Sequence, residues 1–240
     1  MSRFQLLQPL WDAFRGDQLR PTVILLLSAL LLITWKCFGA PDFYLQQVGP
    51  WLGPIGDPSA CAAVYSFLTC LLLLGVVPAL TVKLVFRQRL ADYGVQLGNR
   101  KRTVRSFLLL APVFLLAAYV ASGDPAMLAE YPINKSAGTS ARMFGLHTLT
   151  SLVFYAGWEF HFRGFMQFGL RDKLGQTNAI LVQVLASCLA HIGKPGPEIY
   201  GALLGGILWG VVAARTRSIL SGMMQHFLLG IALDWFVCYG

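Results

Sequence analysis

Long apolar runs separated by short polar gaps dominate the chain. A helix that crosses a bilayer needs about 20 mostly apolar residues. Seven stretches meet or approach that need, roughly 21–39, 60–86, 103–122, 143–170, 177–192, 198–214 and 218–239. The fifth and sixth are short. Between them lies "HIGKPGPE", whose prolines and glycines stop one helix and re-aim the next. Ahead of the first run, Phe4, Leu7, Leu10, Trp11 and Phe14 recur at helical spacing, with Arg3 and Arg15 alongside. That is the pattern of a short helix lying on a membrane surface, although Pro9 interrupts it. The pattern predicts an all-α fold, a polytopic membrane helix bundle of about seven transmembrane helices plus an N-terminal interfacial helix. It forms one membrane domain over 1–240. The interfacial segment covers 1–20, a less polar set of spans covers 21–122, and a more polar set covers 143–240.

Composition supports the membrane reading. The chain is 56% hydrophobic and 12% charged, with a mean hydropathy of +0.60, against roughly 25% charged residues in soluble domains. A net charge of +8 would point to nucleic acid only if it formed a basic face on a soluble domain. Here the basic residues fall in the gaps between spans, so no nucleic-acid partner is expected and the bilayer is the surrounding partner.

With the N-terminus inside, the inner segments hold Arg3, Arg15, Arg20, Lys83, Arg87, Arg89, Arg100, Lys101, Arg102, Arg105, Arg171, Lys173, Arg215 and Arg217. The outer ones hold only Lys135, Arg142 and Lys194. This asymmetry predicts a cytoplasmic N-terminus and, after seven spans, an outside C-terminus. The first span reads as an uncleaved anchor, too long for a signal peptide and followed by Pro41 after its only small-residue site. The five cysteines are scattered, without metal-ligand spacing.

Against this apolar background, "GWEFHFRGFMQFGL" (157–170) places Glu159 and Arg163 one helical turn apart inside a span. Counting the helical rise from the cytoplasmic end puts Glu159 at ~18 Å, Arg163 and His226 at ~12 Å and His191 at ~21 Å. Four polar residues from three helices thus agree in depth, and intramembrane ionisable groups normally face a bundle interior or a wet cavity. The same depths leave access from the cytoplasmic end or from the lipid open. Gln183, Ser187 and His191 form one stripe at four-residue spacing, and His226 and Asp234 share a face with Gly230 between them. His161 points about 200° away from Glu159. Gly201, Gly205, Gly206 and Gly210 read as a close helix-packing surface.

A carboxylate beside a neutral histidine can hold and deprotonate a water, and a second histidine can donate to an oxyanion. Together they suit amide hydrolysis without a covalent intermediate. "WEFHFRGF", "LAHIGKPGPE" and "SILSGMMQHFLLG" resemble, in order and spacing, the three motifs of the CPBP intramembrane proteases, the family of CAAX prenyl proteases and bacteriocin-processing or immunity proteins (Abi). The resemblance covers about 143–240. Position by position it implies Glu159 and Arg163 from the first motif, His191 from the second and His226 from the third. It implies an endopeptidase that cleaves a membrane-anchored or lipid-modified protein or peptide in the cell inner membrane.

Two positions depart from the pattern. Trp158 stands where the first glutamate of the motif belongs, and Gly230 where an asparagine belongs. The base is then either Glu159 on a rotated helix or another acid. Glu198, seven residues after His191 across the "GKPGP" turn, is the candidate. Asp234 either supports His226 from two turns away or sits near water at the outer end. No cofactor is expected, although His191, His226 and a carboxylate could bind zinc. Two other readings stay open. One is a non-catalytic membrane scaffold or bacteriocin-immunity protein, favoured by the two departures. The other is a proton-coupled transporter, for which inverted repeats would be the sign and none is seen.

Overall fold

The computed structural model describes residues 8–9 and 11–240. The expectations for Arg3, Phe4, Leu7 and Leu10 lie outside the described residues. Residues 8–9 and 11–13 are helical, and Trp11 and Phe14 are exposed. Among the described residues, eight helices carry the bundle: α1 (Leu19–Phe38), α2 (Pro58–Val85), α3 (Arg100–Ala121), the short α4 (Pro125–Glu130), α5 (Ala141–Glu159), α6 (Gly169–Ala190), α7 (Gly196–Thr216) and α8 (Leu220–Tyr239). A π-helical stretch, Phe160–Phe168, joins α5 to α6, and there is no strand among the described residues. Short helical turns over 41–52 follow α1.

Local chemistry sets the helix starts. Asp57 accepts from the backbone N–H of Ala60 at 2.8 Å, with Pro58 opening α2. Asn99 accepts from Arg102 N–H at 3.0 Å to start α3, and Ser140 from Met143 N–H at 3.2 Å to start α5. Each side chain satisfies an end donor that has no helical partner. Gly175, at φ 75°, breaks α6 near its start and separates the fourth and fifth expected spans.

Among the described residues, five helices are long and apolar enough to cross a membrane: 16–38, α2, α3, α7 and α8. The remaining two expected spans are also helical, over α5 with its π continuation and over α6 after Gly175. The chain is a multi-pass membrane helix bundle. Its outer surface confirms this physically, because α3 exposes Val104, Leu108, Leu109, Val113, Leu116 and Val120. Such an apolar belt would be a liability in water and is expected in lipid.

The π stretch is the opposite case. All nine of its residues are buried, as befits an element wrapped by other helices. Phe162, Phe165, Met166 and Phe168 form the centre of the main core with Trp158, Ile24, Leu74 and Tyr93. Polar side chains fasten α7 to this centre. Gln167 Nε2 donates to Gly210 O at 2.8 Å, and Gln183 Nε2 to Gly206 O at 2.9 Å. A Cβ on Gly210 would lie 3.0 Å from Ile180 and 3.1 Å from both amides. The packing expected of the glycine stripe is therefore met at Gly206 and Gly210, whereas Gly201 has open space around it.

One end of the bundle is basic and tied by ion pairs. Arg20 contacts Asp172 at 2.6 Å, and Lys173 contacts Asp17. Gln96 Nε2 donates to Arg217 O at 3.0 Å, which joins the loop after α2 to the α7–α8 turn. The other end holds 39–57, 122–140 and 191–195.

Candidate active site

Two stripes at four-residue spacing build the site. On α5 and its continuation they are His147, Ser151, Tyr155, Glu159 and Arg163, and on α8 they are Gly222, His226, Gly230 and Asp234. The helices run antiparallel, so the stripes meet level by level. His147 Nε2 lies 2.8 Å from Asp234 Oδ2. Tyr155 faces Gly230, and Glu159 Oε1 lies 2.8 Å from His226 Nδ1. The absent side chain of Gly222 leaves room for Glu159 Oε2, which would lie 3.1 Å from a Cβ there.

Glu159 is 0% exposed. Its Oε1 accepts from Arg163 Nη1 at 3.0 Å as well as from His226. A carboxylate oxygen that takes both bonds requires His226 to carry its proton on Nδ1, which leaves Nε2 as the acceptor of the neutral ring. The His226 ring stacks on Trp209 at 4.1 Å and 24°, and Arg163 sits 5.4 Å over the same indole. The opposite charges in this span therefore neutralise each other within the core and hold His226 by one edge.

A cavity of about 560 Å³ lies beside this core. His191, Glu198, Tyr155, Trp158 and His226 line it, and Glu159 and Arg163 do not. His191 closes the end of α6, where its Nδ1 lies 2.7 Å from the carbonyl of Ser187. A carbonyl only accepts, so this nitrogen is the donor and Nε2 faces Glu198 Oε1 at 3.9 Å. The "GKPGP" turn thus folds Glu198 back over His191, as the sequence suggested. Trp158 meets the His191 ring edge-on at 5.4 Å. Tyr131, in the loop after α4, is another wall of the cavity. Its phenol is pushed up from the usual range by burial and then by the charge of Glu198 beside it.

The structure brings the five expected residues into two linked groups: Glu159, Arg163 and His226 inside the core, and His191 with Glu198 on the cavity wall. One expectation changes and two points that the sequence left open are added. Asp234 bonds to His147 rather than to His226, because its level of the seam faces α5 at His147. Both are nearly sealed from solvent. The cavity opens toward the end opposite the basic loops, since its exposed lining residues include Lys36, Asp42, Gln46 and Gly193; depth counting along single helices could not show which end the shorter connections leave open. Ser187 contributes its backbone carbonyl to the site. His161 faces away, as expected, packed on Phe162 and Phe165 with neither ring nitrogen bonded.

His147, Tyr155, Tyr131 and Trp209 were not singled out in the sequence. The signal for the first two was the four-residue stripe that continues upstream of Glu159. Among the described residues no group of three or more histidine, cysteine or carboxylate side chains is arranged to hold a metal ion.

Residues 142–232 match the family described as type II CAAX prenyl endopeptidase Rce1-like. This is the segment, and the kind of family, that the three motifs resembled. No curated protein and no solved structure matches the chain.

Proposed function

We propose that the protein is an intramembrane endopeptidase that hydrolyses a peptide bond of a membrane-anchored or lipid-modified substrate with a water activated by Glu198 and His191. The observation that carries this reading is the pairing of Glu198 with a histidine whose other nitrogen is already fixed by a carbonyl. A water at the apex of a triangle on Glu198 Oε1 and His191 Nε2 can bond both. As its oxygen attacks the substrate carbonyl, Glu198 takes the proton. The tetrahedral intermediate then collapses, the C–N bond breaks, and the proton passes to the leaving amine. Glu159 and Arg163 act one step back. They orient His226, whose free Nε2 faces the cavity and accepts a hydrogen bond from the water or the substrate backbone.

Positive-inside topology gives a cytoplasmic N-terminus and an outside C-terminus, in the inner membrane that the resemblance implies. The cavity mouth then lies on the non-cytoplasmic side, and a substrate reaches it from there or through the lipid.

The test uses purified protein in liposomes and an internally quenched peptide carrying a prenylated cysteine three residues from its C-terminus. Wild type cleaves it, and Glu198→Gln and His191→Ala lose turnover while keeping the melting temperature. Trp158 and Gly230, where the resemblance implies a glutamate and an asparagine, favour a scaffold as the second reading. Absence of cleavage in wild type, together with unchanged behaviour of both variants in cells, establishes that reading instead.

A further inference from the structure

With Nδ1 committed to Glu159, neutral His226 offers the cavity an acceptor. It therefore lacks the donor that a developing oxyanion requires. Amide hydrolysis needs such a donor, placed before the reaction begins. Glu198 as a carboxylate and His191 at Nε2 are also acceptors. Trp158 lines the cavity, but its Nε1 is buried within the protein.

Tyr155 meets the requirement. It lines the same cavity. Its hydroxyl has no hydrogen-bond partner among the described residues, and it is not sealed in the interior as Glu159 Oε2 is. Three rings hold it in place: Phe154 at 5.3 Å and 85°, Phe227 at 5.9 Å and 77°, and His226 at 4.8 Å. The opposite helix is cut away to admit it, because a Cβ on Gly230 would lie 1.8 Å from the oxygen. No real side chain tolerates that approach, so the hydroxyl occupies the volume in which residue 230 would otherwise place its own side chain. A phenol is neutral near pH 7 and donates one O–H.

We propose that Tyr155 is a catalytic residue whose hydroxyl donates a hydrogen bond to the carbonyl oxygen of the scissile peptide and stabilises its charge in the tetrahedral intermediate. The assignment rests on the endopeptidase reading above and adds the electrophilic half of the site to it. The helix seam explains the pair: Tyr155 supplies from α5 a donor that α8, with glycine at 230, does not.

Tyr155→Phe removes the oxygen and keeps the ring contacts. With the quenched prenylated peptide, kcat should fall by about 10²–10³-fold, the usual loss for one such donor, with KM within about threefold of wild type. A phosphonamidate analogue of the same peptide, which mimics the tetrahedral anion, should bind the variant more weakly by a similar factor. Binding of the uncleaved peptide to variants that also carry Glu198→Gln should be unchanged. A Tyr155→Phe enzyme within about threefold of wild type in kcat, or one that loses only KM, overturns the assignment and leaves the Glu198–His191 reading standing. A wild type that neither cleaves the peptide nor binds the phosphonamidate overturns the reading itself, and the assignment with it.

Discussion

Glu159 and His226 meet at 2.8 Å across the seam between α5 and α8. The carboxylate is held a second time by Arg163 at 3.0 Å on the same oxygen. A residue that looks, in the sequence, like the acid of a hydrolytic site is thus buried as the anchor of a histidine. Glu198 is the acid that stands beside His191 on the cavity wall.

This arrangement separates two kinds of loss. Arg163→Ala leaves Glu159 buried with one of its two partners gone, which costs about 3–5 kcal/mol when a sealed ion pair is broken. Glu198→Gln changes an acid at the cavity wall and should stay within about 1 kcal/mol of wild type. Thermal unfolding in detergent, read beside peptide cleavage, checks both. The expected result is a strongly destabilised Arg163→Ala and a stable, inactive Glu198→Gln.

His147 and Asp234 form the upper level of the same seam and are nearly sealed from solvent. Asp234→Ala should cost about 1–3 kcal/mol by leaving the imidazole without its partner. In a double-mutant cycle the His147→Ala/Asp234→Ala protein should lose less than the sum of the single losses. Additive losses in the melting data would show that the pair contributes no coupling.

Gly210→Ala probes the attachment of α7. Its Cβ would press on Ile180, Gln167 and Gln183 at 3.0–3.1 Å, and overpacking of this kind costs about 1–3 kcal/mol. Gly201→Ala meets nothing within 4 Å and should be neutral or slightly stabilising. Comparing the two melting temperatures distinguishes a packing stripe from mere composition.

The access side is testable with Cys37, which is exposed and lines the cavity. In a variant that retains Cys37 and has the other cysteines replaced by serine or alanine, a membrane-impermeant maleimide should label intact cells. Labelling that appears only after lysis would reverse the proposed orientation of the chain.

The end that carries the cavity mouth also holds an acid-sensitive tie. Asp57 starts α2 and also accepts from the Ser136 hydroxyl at 2.6 Å. The hydroxyl and the Ala60 N–H together hold its carboxyl below the ordinary value. A lowered carboxylate contributes stability that is fully present above its unfolded value and is lost as the pH falls through the folded one. The stability gap between wild type and Asp57→Asn should therefore be constant well above the ordinary carboxylate value of about 4 and shrink as the pH falls below it. A gap that stays flat through that range would mean the contacts do not favour the charged form.

The sequence alone determined the class, the order of the spans and most of their limits. Apolar runs of fixed minimum length and the capping residues Asp57, Asn99 and Ser140 act locally, and lipid requires every buried backbone group to be bonded within its own helix. It also pointed to Glu159, Arg163, His191 and His226 as one group, because intramembrane polar residues are costly wherever they face lipid, and offered Glu198 through the turn that follows His191. What it could not decide was which oxygen meets which nitrogen. That depends on the register of α5 against α8 and on the fold of the 191–198 turn, and both are fixed by packing between residues 63 or more positions apart or by a proline-rich turn with several possible geometries. Only the tertiary structure placed Glu159 behind the cavity, brought Glu198 to His191, matched Tyr155 to Gly230 and turned the mouth away from the basic loops.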